Sequence, residues 1–409
     1  RLPGFVERFQ VVALDELSAG QVRRVMRRLA TQSERDLGVS FEGTALALAF
    51  RLLDRHVRHE RFPGKATALL SDCIHDARQV GGTQVSGPDV LDRFIRRTGM
   101  PRDLLDDAVM LEPSALRDHF ASVIVGQPEA VAEVCRVVET FKAGLADPDR
   151  PLATLLFAGP TGVGKTAMAK ALAGYFFGAG PEEAPLVRID MSELQHEGQV
   201  HRLIGLGRDE PGPLVQQLRE APFGVVLFDE IEKAHPVFFD LLLTVLDEGI
   251  LADALGRETD FRGRVLILTT NLGSGGAPSL GFGSDGVRHD ISAVRRFFRP
   301  EFFNRIDRVV QFGSLDRTSV RAIARIELDQ VAKREGLVTR KIRLAYTDAL
   351  VDWVVTHGFD RDYGARALQR VVEQRVVNVV GRALLRAPEL RDATLTVDVR
   401  DGEVEVVGI

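Results

Sequence analysis

The 409-residue sequence contains no apolar run close to the roughly 20 residues that a membrane-crossing helix needs, which excludes an integral-membrane reading by helices. It holds only two cysteines, Cys73 and Cys135, far apart and without the short spacing of zinc ligands. Two free buried thiols in a reducing, cytoplasmic setting are therefore expected. Neither charge sign is in large excess: 53 Lys and Arg stand against 58 Asp and Glu, for a net charge of -5. No overall basic field draws nucleic acid to the chain, although a balanced total can still hide a local patch. There is no repeat of fixed period and no low-complexity tract beyond the Gly/Ser-rich stretch 273–286. No cationic-then-apolar leader opens the sequence, and it starts at Arg1, so a fragment of something longer is expected.

What is present is ordinary globular material, 45% hydrophobic and 27% charged. It is long enough for roughly two to four domains. Residues 17–37, 44–58 and 65–80 repeat apolar positions at three- and four-residue spacing, with Gly38, Pro63 and Gly81-Gly82 as breaks. A short strand is expected at 9–14 and one more helix at 88–97, ended by Gly99-Met100-Pro101. From Pro113 strands and helices alternate, which favours an α/β fold with a parallel sheet covered by helices on both faces. The expected strands are 154–158, 186–189, 224–228, 264–269 and 308–312, and ligands are expected at their carboxyl ends. The chain turns helical again from Ser314. Residues 366–385 put Leu368, Val371, Val372, Val376, Val379, Val380 and Leu384 on one helix face, and 395–407 alternates as strands.

One stretch organises the chemistry. Gly159, Pro160, Thr161, Gly162, Val163, Gly164, Lys165 and Thr166 fit G-x-x-x-x-G-K-[ST] without a mismatch. The glycines let successive N–H groups converge on phosphate oxygens at a helix N-terminus, Lys165 adds a point charge, and the Thr166 hydroxyl suits Mg²⁺. A buried strand leads into the motif, and an Ala- and Leu-rich helix starting at Ala167 leaves it, which is the context a phosphate-binding loop requires. Downstream, 225–230 is an apolar strand ending in two acids. Asp229 suits Mg²⁺, and Glu230 suits a general base that polarises water. The alternative is two solvated carboxylates at a strand end. Glu232 and Lys233, one turn on, read as surface residues. Asn271, at the tip of the 265–269 strand, is placed to orient water against a terminal phosphate, or is a plain turn former. Arg305, just before the last strand, and Arg366, opening the amphipathic helix, complete the set. Their guanidinium groups suit an oxygen-rich transition state.

In order along the chain, the matched segments are VGQPEAV (125–131), AGL with Asp147-Pro148 (143–148), GPTGVGKT (159–166), IDMSE (189–193) and DEIEKAHP (229–236), then DFR (260–262), TNLGS (270–274), RPEFFNRID (299–307) and GARAL (364–368). These resemble the Clp family of AAA+ ring ATPases, the ClpA, ClpB and ClpC type with two ATPase modules, over roughly 124–368. The resemblance implies a P-loop αβα sandwich with a C-terminal α+β lid, ATP and Mg²⁺ as cofactors, and a hexameric ring acting on protein substrates or adaptors. By the same resemblance Ile124 and Val125 line the adenine pocket, Gly159 to Ala167 hold the phosphates, and Asn271 is sensor one. Arg305 is the finger that reaches the neighbouring subunit's nucleotide, and Arg366 is sensor two. The implied domains are 1–107, the small helical lid of a first module plus linker, then 108–312, the ATPase core, and 313–409, the lid of the second module. ERFQ (7–10) resembles the first module's finger segment, with the single Arg8 where the family often has a pair. FPGKA (62–66) resembles its lid and TGMP (98–101) the inter-module linker. Only 81–87 separates the lid helices, so the long middle domain of ClpB is not present between them.

Two segments bear on function without deciding it. Leu280-Gly281-Phe282 resembles the tripeptide with which ClpC- and ClpX-like unfoldases dock onto a ClpP-type peptidase, or is an incidental apolar pair in a glycine-rich loop. Where the family carries a pore loop with an aromatic grip, residues 206–213 read LGRDEPGP. The sequence thus supports an ATP-driven remodeller or unfoldase of protein partners. It also leaves open a Clp-derived regulator that cycles nucleotide without threading, and a nucleic-acid remodeller, against which the acidic balance weighs.

Overall fold

The computed structural model describes residues 10, 12, 15–57, 60–178, 185–205, 211–253, 257–273, 291–359 and 364–408. Most of the strand expected at 9–14, the tripeptide 280–282 and most of 206–213 lie outside them. Five strands form the central sheet: β1 (Ala153–Ala158), β2 (Leu186–Asp190), β3 (Gly224–Asp229), β4 (Arg264–Thr270) and β5 (Arg308–Gln311). They pair in the order β2-β3-β4-β1-β5, every pair parallel. Residues of β1, β3 and β4 are buried throughout, because helices cover both faces and alternate side chains enter separate cores. Leu155, Phe157, Val225, Leu227, Val265 and Ile267 pack into one core, while Leu156, Ala158, Val226, Phe228, Leu266 and Leu268 pack into the other. This alternation forces near-continuous apolar runs, the signal by which the strands are legible in the sequence.

Four helices, Ala19–Leu37, Gly43–His56, Gly64–Gln79 and Gly87–Thr98, form the first helical block, and Arg102–Leu105, Pro113–Val123 and Pro128–Lys142 follow before the sheet. Gly38 and Gly99 end the first and last of the four in the left-handed conformation that C-caps favour. Their core continues into that of helix Lys165–Phe177, which follows the glycine-rich motif: Phe94, Met100, Phe120, Phe141, Phe176 and Phe177 belong to one cluster. The rings of Phe141 and Phe176 sit 5.2 Å apart, and Arg55 Nη2 donates to the Phe141 carbonyl at 2.8 Å.

The C-terminal block packs helices Arg317–Ala332 and Asp348–Gly358 with a three-stranded sheet of β6 (Arg343–Tyr346), β7 (Thr394–Arg400) and β8 (Glu403–Gly408). The stretch 366–385, expected as one helix, is interrupted: Arg366–Val371 and Asn378–Arg386 are α-helical, and Val372–Val377 between them is a π-turn. The wider turn aligns Leu368, Val372, Val376 and Val380, the four residues fully buried against this core. Val371 and Val379, assigned to the same face by simple periodicity, are only half-buried. Both cysteines are free and buried, and their burial pushes the Cys73 thiol up to about 12 and the Cys135 thiol to about 11. Among the described residues no helix is long and apolar enough to cross a membrane.

Candidate functional site

The site forms where β1, β3 and β4 end and the C-terminal block folds back over them. A cavity of about 420 Å³ is lined by Ile124, Val125, the loop from Thr161 to Ala167, Asp229, Glu230, Asn271 and Arg366. Thirteen of the residues singled out in the sequence therefore face one space. Gly159 and Pro160 are not on its wall, but their carbonyls accept hydrogen bonds from Lys165 Nζ, at 2.8 Å for Pro160. The loop needs its glycines: Gly162 and Gly164 have φ of 75° and 109°. At Gly159 a Cβ would sit 2.6 Å from the Phe312 carbonyl. Lys165 is buried, and burial lowers its ammonium from 10.5 to about 8 against the upward pull of Glu232 and Asp229. Its third partner is Asn271 Oδ1, at 2.7 Å.

Asp229 and Glu230 play unlike structural parts although adjacent. Asp229 is buried, accepting from Thr269 Oγ1 at 2.5 Å and from Arg188 Nη2 and Nε at 2.6 and 3.1 Å. Glu230 follows in the left-handed region at φ 58°, uncommon for a residue with a side chain, and its N–H donates to Thr269 Oγ1 at 3.0 Å. That turn swings its carboxylate out of the sheet to the cavity wall, where it pairs with Lys233. The expectation that Glu232 and Lys233 are plain surface residues needs correction. Lys233 is exposed but engages Glu230, and Glu232 is half-buried and accepts from the Asn271 main-chain N–H at 3.1 Å. Period alone missed this, because the residues lie on a 3₁₀ turn, Ile231–Lys233, whose spacing is not that of an α-helix.

Residues 150–309 match the family model described as AAA domain (Cdc48 subfamily), and 315–397 match the C-terminal, D2-small domain of ClpB protein. ClpB chaperones are similar in sequence. That of Gloeobacter violaceus is 40% identical over 82% of this chain and 39% of its own length. That of Corynebacterium efficiens is 44% identical over 83% of this chain and 40% of its own. The chain thus spans about two fifths of the length of these curated relatives. Among solved structures, the closed state of Hsp104 with ATPγS and casein superimposes with a TM-score of 0.77 at 30% identity, covering 99% of this chain and 71% of that one. The chain belongs to the Clp-type AAA+ ATPases. Within that family it carries the second ATPase module, with the P-loop α/β fold.

In this Clp-type module the two arginines lie in different settings. Arg366 is on the cavity wall, brought there by a lid segment that touches the phosphate-binding loop: the Ala365 N–H donates to the Gly162 carbonyl at 3.0 Å. Arg305 is outside the cavity. Its guanidinium pairs with Asp247, which holds it above its ordinary range, and Nη1 donates to the Glu301 carbonyl at 2.8 Å. Sequence reasoning missed the opposite wall, Ile323, Ile326, Glu327 and Gln330 of the lid helix. Burial, with Glu373 nearby, raises the Glu327 carboxyl above the usual range. The recurring 323/326/327/330 spacing was the available signal, but it reads as core until the lid is folded over the site.

Proposed function

We propose that this chain is the ATP-driven half of a ring subunit, a hexamer by resemblance, that remodels or unfolds protein partners in the cytoplasm. The observation that carries the reading is the split site: a complete phosphate cradle, acid pair and lid arginine around one cavity, with Arg305 held outside it. Gly162 to Thr166 cradle the phosphates, and Lys165 supplies the charge. Thr166 on the wall and Asp229 in its buried pocket offer the hard oxygen donors that suit Mg²⁺, which when bound neutralises phosphate charge. Glu230 takes the proton from attacking water, and Asn271, between Lys165 and Glu230, orients that water. Ile124 and Val125 seat the base, Arg366 closes over the phosphates, and Arg305 completes a neighbouring subunit's site. The test is ATP hydrolysis by the intact protein with and without an unfolded protein. Stimulation supports remodelling, and DNA-dependent stimulation would instead revive a nucleic-acid partner.

A second reading is favoured by one feature. Residues 206–213 carry Asp209, Glu210 and two prolines but no aromatic, and an aromatic supplies large contact area at low entropy cost for gripping polypeptide. A regulator that cycles ATP without threading would show hydrolysis but no unfolding of a stable fluorescent protein. Docking of a ClpP-type peptidase through Leu280-Gly281-Phe282 is a separate proposal, and equal peptidase association by parent and Phe282→Ala would overturn it.

A further inference from the structure

Glu232 carries no role in the reading above, yet its setting is unusual. It projects from the 3₁₀ turn that Ile231, fully buried, pins into the sheet's second core. It does not line the cavity, so it does not reach a nucleotide there. Its Oε1 accepts from the Asn271 main-chain N–H at 3.1 Å, and its Oε2 is buried without a hydrogen-bond partner among the described residues. A buried carboxylate oxygen left unpartnered is costly unless a positive charge compensates it. Among the surrounding carboxylates Glu232 gives the Lys165 ammonium its largest upward pull, ahead of Asp229 and Glu230. Asn271 is the link: its main chain is fastened to Glu232, while its side chain reaches Lys165 Nζ at 2.7 Å, Thr161 Oγ1 at 3.4 Å and Glu230 Oε1 at 3.5 Å.

We propose that Glu232 is a positioning residue for ATP hydrolysis, anchoring the Asn271 backbone so that its amide stands between Lys165 and Glu230. β4 ends at Thr270, and the N–H of Asn271, the first residue beyond it, is held by the Glu232 carboxylate. Because Glu232 acts on the amide rather than on the phosphates, it governs turnover and not nucleotide binding.

The inference rests on the ATPase reading, and the experiment separates the two. Steady-state ATP hydrolysis and binding of a fluorescent ATP analogue are measured for the intact protein and for Glu232→Ala, Glu232→Gln, Asn271→Ala and the Glu232→Ala/Asn271→Ala double variant, with thermal unfolding as the control for folding. A parent without ATPase activity overturns the ATPase reading itself. With an active parent, Glu232→Ala is expected to lower kcat roughly tenfold or more while KM and analogue affinity change little, as for loss of a hydrogen bond to a charged group. Glu232→Gln keeps a carbonyl acceptor for the Asn271 N–H and is expected to recover most of that loss. In the Asn271→Ala background, removing Glu232 is expected to add almost nothing, since the group it positions is gone. Three results would each overturn the proposal: parent-like kcat in Glu232→Ala, a loss confined to KM, or full additivity in the double variant. If Glu232→Ala does not fold, Glu232→Gln alone decides, because an isosteric variant as slow as Asn271→Ala refutes an anchoring role that an acceptor should preserve.

Discussion

Gly364→Ala tests whether contact between lid and phosphate-binding loop sets ATP affinity. Gly364 has φ 57°, and a Cβ there would lie 2.6 Å from the Thr161 carbonyl oxygen and 2.9 Å from the carbonyl carbon and oxygen of Gly162. All three atoms are backbone, so no rotamer change relieves the clash and the lid must retreat. The next residue's N–H makes the 3.0 Å bond to Gly162, which that retreat breaks. Left-handed backbone at a residue with Cβ costs about 1–2 kcal/mol, and the lost hydrogen bond about 0.5–1.5 kcal/mol. Together they shift the closed arrangement by roughly ten- to a few-hundred-fold, at about 1.4 kcal/mol per factor of ten. The assay is calorimetric titration with ATP in a Glu230→Gln background, which keeps the ligand intact. Gly402→Ala is the control: φ is 84° there, but nothing lies within 4 Å of the added carbon, so it carries backbone strain without lid contact. Equal ATP affinity in the two variants would refute the reasoning.

Glu230→Gln should bind ATP like the parent and nearly stop hydrolysis, whereas Lys165→Ala should weaken binding itself. Rapid-quench turnover alongside equilibrium binding separates the two, and normal turnover by Glu230→Gln would remove it as the base. Mixing Arg305→Ala with Glu230→Gln subunits should recover part of the lost activity, because each retains what the other lacks. Fingers supplied in trans to GTPases are worth on the order of 10³ to 10⁵ in rate, and mixed rings without recovery would count against a shared site. Lys165 titrates near 8 when buried, so ATP affinity is complete below that pH and falls as pH rises through it, while bound phosphates draw a proton onto the amine. KM should therefore climb from pH 7 to 9 in the parent and stay flat in Lys165→Ala, and parallel profiles would exclude the ammonium as the cause.

Much of this architecture was legible because burial on both sheet faces leaves a strong signal. β1, β3 and β4 are found within a residue of where their apolar runs place them. The glycine-rich loop 159–166 is legible as a motif because local backbone conformation, the positive φ of Gly162 and Gly164, selects its glycines rather than distant packing. What depended on tertiary approach was not visible. The π-turn at Val372–Val377 arises from fitting one face to the lid core, and no local residue announces it. Ile323, Ile326, Glu327 and Gln330 become a cavity wall only because the lid folds over the sheet. Glu232 looked like any acid after a strand, and its burial follows from the short-period turn and from a neighbour 39 residues away in sequence.

The same distinction explains three glycines, of which Gly99 reads in the sequence as a chain break and Gly159 and Gly364 as parts of motifs. A Cβ on Gly99 would meet the Phe177 carbonyl oxygen at 2.5 Å, one on Gly159 the Phe312 oxygen at 2.6 Å, and one on Gly364 the Thr161 oxygen at 2.6 Å. In each case one of the two backbones belongs to the phosphate-binding loop or its helix, and the other comes from a different layer: the helical block, the edge of the sheet, or the lid. Gly99 and Gly364 also need positive φ, so turn geometry would select glycine there without the contact, whereas Gly159 has the contact alone. Side chains between packed elements hold backbones well apart and give a little under load, but bare backbone contacts at van der Waals distance do not. These three contacts therefore fix the spacing between the loop and each neighbouring layer, and a side chain at any of the three positions would have to widen it.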